Sequence, residues 1–221
     1  MPTKLLPLAI LAIMAVLAAA GTVLAEMTAV KLAQPDLKAK GLTVIQALKN
    51  RKSDRVFADR DLSSQHLSEV IWAAGGINRE AMPGGGVGRT APTGRNIQAI
   101  EIFAITRDGA YRYDPKAHEL QPIADGDHRA VAGVQDYVAT APLNLIYAVD
   151  LGKYPSGDEK EKLLAAAIDL GHFSENVYLY CASAGLNVVS RTSIKPGNLA
   201  GLLKLDANTR PLLGQTVGYP K

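Results

Sequence analysis

The feature that most constrains this chain is one long helical segment that is followed by a glycine. Residues 159–184 are apolar on most sides of a helix, and Gly185 is suited to end it. Because a helix that is apolar on most sides has to be covered, this segment is predicted to cross the centre of the fold. Cys181 within it is the only cysteine of the chain, which rules out a disulfide within the chain and favours a buried structural thiol.

Short strands are predicted on both sides of this helix. Residues 100–106 alternate between apolar and polar side chains, turn at 107–109 and return at 110–113, which is typical of a hairpin. Residues 143–149 form a continuous apolar run, as expected of a strand that is buried on both faces. Hairpin strands combined with long helices indicate an α+β domain. Further strands are predicted at residues 119–123, 186–191 and 213–219.

Shorter helices complete the predicted set. A helix whose start either Ser63 or Ser64 can cap is expected to end at Gly75-Gly76. The loop of residues 79–96 is interpreted as flexible, because no strand is expected to lead into it and no helix clearly follows, as a phosphate-binding turn requires. Additional helical segments are predicted at residues 43–50, 127–132, 134–140 and 196–203.

The N-terminus has the pattern of a secretory signal peptide. Lys4 precedes an apolar run, and small residues lead to a cleavage position after Ala25. The prediction is a cleaved signal peptide at residues 1–25, an exposed arm at 26–42, one domain at 43–221, and a periplasmic or secreted protein. An uncleaved membrane anchor stays open, since the apolar stretch is about long enough to span a bilayer.

Composition and motifs exclude several classes of function. A net charge of +3 argues against a dedicated nucleic-acid binder. The four histidines are scattered, and Asp169, His172 and Glu175 are interpreted as the polar face of a helix rather than as metal ligands. No catalytic acid, base or nucleophile is assigned, so an enzyme of this sequence is expected to rely on a cofactor.

A basic stretch at residues 51–57 allows two interpretations. Arg51, Lys52, Ser53 and Arg55 offer the guanidinium, ammonium and hydroxyl donors that a phosphate monoester needs. The same cations could instead complement the negative end of the preceding helix while facing water. By itself the stretch favours the second interpretation, because most charge runs are solvated surface.

Four motifs in a fixed order carry a family resemblance, which favours phosphate binding over solvated surface for the stretch 51–57. They are the stretch 51–57, the segment 91–98 with its Pro-Thr-Gly-Arg-Asn-Ile-Gln sequence, the run 171–186 with the following 187–194, and the Thr-Val-Gly-Tyr-Pro of 216–220. Together they resemble the nitroreductase-like superfamily of FMN flavoproteins, and most of all its SagB-type or thiazoline oxidase-like dehydrogenase branch. The resemblance implies a nitroreductase-like fold, with a mostly antiparallel central sheet flanked by helices and a long central dimer-interface helix.

The resemblance also implies a homodimer with FMN sites at the subunit interface. The first motif would hold the phosphate and ribityl chain, the second would reach the flavin from the partner subunit, and the third would present a backbone amide to flavin N5. The site residues implied in this way are Arg51, Lys52, Ser53 and Arg55 from the first motif, Pro92, Thr93, Gly94 and Asn96 from the second, Ser190, Arg191 and Thr192 from the third, and Lys221 at the C-terminus.

Two positions depart from the family pattern. Thr192-Ser193 stands where many members have two glycines, and Lys221 is either the expected basic residue or a frayed end. The implied activity is an FMN-dependent oxidoreductase that transfers hydride through flavin N5 in a ping-pong cycle, with a small-molecule substrate and NAD(P)H or another donor. The alternative is an exported, non-catalytic flavin- or ligand-binding protein on the same scaffold.

Overall fold

The computed structural model describes residues 27–221, and within them the fold is built on one large antiparallel sheet. Seven strands pair in the order β1-β6-β5-β4-β7-β9-β8, and each pairing is antiparallel. A separate hairpin joins β2 to β3. The predicted α+β class and antiparallel sheet are therefore confirmed. The strands are β1 Val30–Lys31, β2 Ile77–Arg79, β3 Gly88–Arg89, β4 Ile100–Ile105, β5 Gly109–Asp114, β6 Glu119–Asp125, β7 Leu143–Asp150, β8 Asn187–Arg191 and β9 Thr209–Gly218.

Four α-helices accompany the strands in the described part of the chain: α1 Val44–Asn50, α2 Ser64–Gly75, α3 Glu159–Ala184 and α4 Pro196–Leu202. The predicted long helix is confirmed at both ends. Asp158 forms a capping box with Glu161 at its start, and Gly185 ends it with a φ of 70° that favours glycine. The predicted segments 127–132 and 134–140 are instead short 3₁₀ turns, Arg129–Ala132 and Asp136–Ala139.

Helix α3 is buried along one face and exposed along another. Phe173, Val177 and Cys181 are fully buried against the sheet, and burial raises the pKa of the Cys181 thiol. On the other face Leu164 and Ile168 are 64% and 60% exposed. The expectation that the whole helix is covered therefore holds for only one face of it within this chain.

The sheet separates two apolar cores. On the side of α2 and α3, Tyr147 of β7 packs with Phe173, whereas on the side of α4, Phe103 and Ile146 pack with Leu199. β7 lies between β4 and β9 and is buried over almost its whole length, as its continuous apolar sequence predicts.

The N-terminal arm contributes to the sheet although it precedes the predicted domain boundary at residue 43. β1 pairs with β6, and the adjacent Leu32 is buried in the core. A strand leads into the loop of residues 79–96 after all, since β2 ends at Arg79. Residues 27–221 contain no helix with the length and apolar character to span a bilayer. The signal-peptide prediction falls on residues 1–25, outside the described part.

Candidate functional site

The first motif lies along the free edge of β8, the strand at one end of the sheet. The amide of Asp54 donates to the carbonyl of Val188 at 2.9 Å, and the side-chain amide of Asn187 donates to the carbonyl of Val56 at 2.7 Å. Since β8 has β9 on only one side, these bonds cover its other edge. The fold thus brings the first and third motifs into contact.

A cluster of hydroxyl groups connects these two motifs to α3. Tyr178 Oη lies 2.8 Å from Ser53 Oγ and accepts a hydrogen bond of 2.9 Å from the Ser190 amide. Ser174 Oγ lies 2.6 Å from Ser190 Oγ. Ser174 and Tyr178 are four residues apart, which places them on the same face of α3. We call Ser53, Ser174, Tyr178 and Ser190 the hydroxyl cluster; its members fix the first motif against β8 without any charge.

Two cations of the first motif, Arg51 and Lys52, lie beside this cluster. The Arg51 guanidinium lies 5.4 Å from the centre of the Tyr178 ring, and the Lys52 ammonium pairs with Asp54 at 3.0 Å. The hydrogen bond from Lys52 is the main cause that lowers the pKa of Asp54. Within residues 27–221, neither Arg51 nor Arg55 forms a salt bridge. Two guanidinium groups are therefore available to an anion.

A cavity of about 270 Å³ opens beside the first motif. Its lining includes Lys52, Tyr178, Asn187 and Pro220. The adjacent Lys221 is exposed. The C-terminal end of the chain therefore lies near the first motif.

The third motif divides between two faces of the sheet. Ser190 belongs to the hydroxyl cluster, and Thr192 is exposed. Arg191 is buried, and its guanidinium donates to the carbonyl of Ala132 at 2.6 Å, to Asn144 Oδ1 at 2.8 Å and to Thr216 Oγ1 at 3.1 Å. Burial lowers the pKa of Arg191 to about 10. Its side chain is thus committed to an internal network, and only its backbone accompanies Ser190.

The second motif lies elsewhere in the same chain. The amide of Gly94 donates to Asp169 Oδ1 at 3.0 Å. Asp169 and Tyr178 are nine residues apart on α3, which corresponds to about 13 Å along the helix. The chain therefore does not bring Pro92, Thr93, Gly94 and Asn96 to its own first motif; of these, Pro92, Gly94 and Asn96 are exposed.

The backbone of the second motif is unusual. Arg95, Asn96 and Gln98 have φ values of 52°, 54° and 53°, in the left-handed region that non-glycine residues rarely adopt. Such conformations cost energy and concentrate at functional sites. Side-chain hydrogen bonds hold the turn, among them one of 2.8 Å from Gln98 Nε2 to the carbonyl of Val87. The strain marks this turn as a candidate for ligand or partner contacts.

Comparison with known proteins assigns the chain to a family. The sequence profile of the Nitroreductase family matches residues 48–219. The chain belongs to the nitroreductase family. A protein of Methanocaldococcus jannaschii that is named as a nitroreductase is 29% identical over 178 residues, which cover 76% of this chain and 86% of the relative. An NADPH-dependent oxidoreductase of Staphylococcus haemolyticus is 26% identical over 80% of this chain and 64% of its own length.

Solved structures agree with this assignment. A crystal structure from Ralstonia eutropha JMP134, named as that of a nitroreductase, matches with a TM-score of 0.79 and 37% identity over 87% of this chain and 90% of that chain. An NADPH:FMN oxidoreductase from Vibrio harveyi, in complex with NAD⁺, matches with a TM-score of 0.58 and 23% identity over 80% of this chain and 69% of that chain. The second match shows similarity of fold alone. The nitroreductase-like fold predicted from the four motifs is confirmed.

Three residues of this nitroreductase-family site were not among the predicted site residues. Tyr178 and Ser174 hold the first and third motifs together, and the fully buried Gln215 supports them by donating to the carbonyl of Ser174 at 3.0 Å. The one signal for Ser174 and Tyr178 in the sequence is the placement of their hydroxyl groups four residues apart on the apolar side of a helix, whereas Gln215 lies on β9 and has no such signal. The described residues contain no group of three or more histidine, cysteine or acidic side chains that could hold a metal ion.

Proposed function

We propose that this member of the nitroreductase family is an FMN-dependent oxidoreductase. The observation that carries the proposal is the position of the first motif at the edge of β8, where Arg51 and Lys52 lie beside the hydroxyl cluster. Ser53 is fixed by Tyr178 at 2.8 Å, while Arg51 and Arg55 are outside every salt bridge of the described residues. Guanidinium groups are well suited to bind a phosphate by two parallel hydrogen bonds.

The chemistry of these donors fits FMN. Arg51, Lys52, Ser53 and Arg55 would hold its phosphate, Lys221 would add positive charge, and the segment 190–192 would lie along the ring. Bound FMN would supply hydride transfer at N5 in two half-reactions with two small molecules. The chain's own part is to bind, orient and screen the cofactor, which agrees with the scarcity of acid–base groups in its motifs.

The second motif supports a homodimer in which each site is shared. It lies about 13 Å along α3 from Tyr178, so it would reach the flavin only in a second copy of the chain. Apolar side chains are exposed on two helices that could meet such a copy: Ile45 of α1 is 76% exposed, and Leu164 and Ile168 of α3 are 64% and 60% exposed. Exposed apolar patches of this kind mark interfaces.

The comparisons also support a nicotinamide donor. One relative is named as an NADPH-dependent oxidoreductase, and one structure of similar fold contains NAD⁺. We therefore infer NAD(P)H as a donor and a small organic acceptor as substrate. Placement in the SagB-type branch rests on the four motifs alone, and Thr192-Ser193 departs from the two glycines that many family members have there. An Escherichia coli microcin synthetase complex contains a chain of similar fold, with a TM-score of 0.63 and 19% identity over 86% of this chain and 79% of that chain.

The first test is the double substitution Arg51→Ala with Arg55→Ala. Each removes a charge-assisted contact to phosphate, so FMN affinity is expected to fall by about 1.5–3 kcal/mol per residue in a fluorescence titration. The matched control is Arg107→Ala with Arg112→Ala, because those arginines are exposed and paired with acids elsewhere on the surface. Unchanged FMN affinity in the first variant would show that the stretch is only solvated surface.

A second test separates an enzyme from a binding protein. The FMN-loaded protein is reduced with NADPH or dithionite and then mixed with a quinone or a nitroaromatic compound. Repeated turnover supports the oxidoreductase. Flavin that is reduced but never passes its electrons to any acceptor would favour the exported, non-catalytic flavin- or ligand-binding protein on the same scaffold.

Export is a separate proposal, based on the sequence of residues 1–25. The expected result is a mature chain that begins at Glu26 in the periplasmic or secreted fraction, as measured by intact mass. A chain that keeps its N-terminal segment and sediments with membranes would identify an anchor instead.

A further inference from the structure

A second cavity, separate from the first motif, lies over the N-terminal half of α3. Its volume is about 270 Å³, and it is lined by Gly94, Arg95, Tyr154, Glu161, Ala165 and Asp169, among others. Glu161, Ala165 and Asp169 are spaced four residues apart, so they form one stripe along the helix. The small side chain of Ala165 leaves room between the two acidic residues. The cavity is thus built by one helix face and two loops of a single chain.

Asp169 is a buried carboxylate without a neutralising cation in the described residues. It is 7% exposed, and its Oδ1 accepts a hydrogen bond from the Gly94 amide at 3.0 Å. No salt bridge within residues 27–221 includes Asp169. Buried charges in proteins are normally paired, because the loss of hydration is costly. One hydrogen bond leaves most of the acceptor capacity of this carboxylate unused.

Tyr154 provides a second, independent sign of a missing partner. The residue is 7% exposed, and its buried hydroxyl has no hydrogen-bond partner in residues 27–221. Burial raises the pKa of Tyr154, and the negative charge of Asp169 raises it further. The phenol therefore stays protonated and lies within the electrostatic reach of the Asp169 carboxylate. A buried hydroxyl without a partner is uncommon and calls for an explanation.

The cations of the cavity do not provide the missing partner. Lys162 Nζ donates to the carbonyl of Leu151 at 3.3 Å, which directs it to the preceding turn. Arg95 is exposed and has the left-handed backbone described above. Neither forms a salt bridge with Asp169 or with the exposed Glu161 at the cavity.

We propose that this cavity binds a cationic amino or amidino group of a small molecule, with Asp169 as the counter-charge and the Tyr154 hydroxyl as a second polar contact. Such a group carries several N–H donors and a positive charge, which match the unused acceptors of the carboxylate and the phenol oxygen. Glu161 adds negative charge and favours cations over anions. The proposal goes beyond the oxidoreductase function: the cavity shares Gly94 with the second motif, but Asp169 and Tyr154, which would bind the cation, have no role in that function.

The test is calorimetric titration of the full mature chain with benzamidine as the cationic probe, benzamide as its neutral analogue and benzoate as its anionic one. Benzamidine is expected to bind at least about tenfold more tightly than either analogue. Asp169→Asn keeps an oxygen for the Gly94 amide, so the loop is expected to stay in place while benzamidine affinity falls about ten- to hundredfold. Tyr154→Phe is expected to lower the benzamidine affinity about two- to tenfold.

Glu175→Gln is the matched control, since Glu175 is an exposed carboxylate on the same helix; its benzamidine affinity is expected to equal that of the wild type. Equal affinity for benzamidine and benzoate, no binding of benzamidine, or unchanged binding in Asp169→Asn would each overturn the proposal. The absence of binding would also be the result if a side chain of a second copy fills the cavity. FMN titration of the same preparations keeps the two proposals apart, because loss of FMN binding has no bearing on the benzamidine result.

Discussion

Ser190 and Arg191 are neighbours on β8, yet they belong to two polar networks of different kind. Ser190 faces α3 and joins three other hydroxyl-bearing residues, of which Ser53 is exposed. Arg191 faces the opposite side of the sheet, where its guanidinium is surrounded by Asn144, Thr216 and the carbonyl of Ala132. The alternation of side chains along a strand places one residue in each network.

The two networks differ in what they leave available. The hydroxyl cluster contains no charge and lies beside cations that face solvent, so a phosphate could bind there without displacing an existing ion pair of Arg51 or Arg55. The guanidinium of Arg191 is enclosed, and Gly133 and Gly214 are in contact with it, where a side chain would collide. The first network is therefore suited to bind a ligand, whereas the second stabilises the sheet.

The largest expected effect tests the enclosed network. Arg191→Met removes the guanidinium and leaves Asn144 Oδ1 and the Ala132 carbonyl buried with fewer donors. Each unsatisfied buried group costs about 1–3 kcal/mol, so the free energy of unfolding is expected to fall by about 3–5 kcal/mol in urea denaturation. Arg112→Met is the control, because that side chain is 51% exposed and its pair with Glu101 is worth about 1 kcal/mol or less. Similar losses of unfolding free energy in Arg191→Met and Arg112→Met would contradict the conclusion that the enclosed Arg191 network stabilises the sheet.

The elements that the sequence predicts best are those with a long internal pattern. α3 is predicted at both ends, since its helical period extends over many turns, an acidic cap precedes it and a glycine follows. Strand β7 is predicted because the seven consecutive residues 143–149, with mostly apolar side chains, suit the centre of a sheet, and the strand extends one residue further to Asp150. Elements of two to four residues have no such period, which is why β1 was missed and the two 3₁₀ turns were predicted as helices.

The site is predicted less completely than the fold, because its contacts join distant parts of the chain. Ser53 and Tyr178 are 125 positions apart, and apart from its four-residue spacing to Ser174 nothing in the sequence around Tyr178 distinguishes it from other residues of an apolar helix. Arg191 illustrates the opposite problem. Its place in a motif implies a ligand contact, but only the fold shows that its side chain lies on the far face of β8.

An intermediate effect is expected from Tyr178→Phe, which tests the hydroxyl cluster. The substitution removes the hydroxyl that bridges Ser53 and the Ser190 amide and keeps the ring that packs in the core. The free energy of unfolding is expected to fall by about 1–2 kcal/mol. If the cluster positions the first motif, FMN affinity measured by fluorescence titration falls about five- to thirtyfold as well.

Tyr180→Phe is the matched control for this change. Tyr180 lies two residues further along α3, and its hydroxyl donates to Glu69 at 2.7 Å, away from the first motif. A similar loss of stability is expected, while FMN affinity stays at the wild-type value. Equal losses of FMN affinity in the two variants would mean that the effect reflects general stability and that the cluster has no special role in binding.

The smallest expected effect comes from Asp54→Asn, which tests whether Asp54 competes with the FMN phosphate for Lys52. The Asp54 carboxylate is ionised at neutral pH like any ordinary aspartate, hydrogen bonding by Lys52 lowers its pKa further, and the carboxylate holds Lys52 at 3.0 Å. The Val56 amide donates a hydrogen bond to Asp54 Oδ1 at 3.2 Å, and the side-chain oxygen of asparagine can still accept it. Removing one negative charge and freeing Lys52 is expected to tighten FMN binding by about 0.3–1 kcal/mol, and less at high salt. Asp59→Asn, at an exposed carboxylate paired with Arg107, is expected to leave FMN affinity unchanged. Weaker FMN binding in Asp54→Asn would show that Asp54 serves to position Lys52 for the phosphate and does not compete with it.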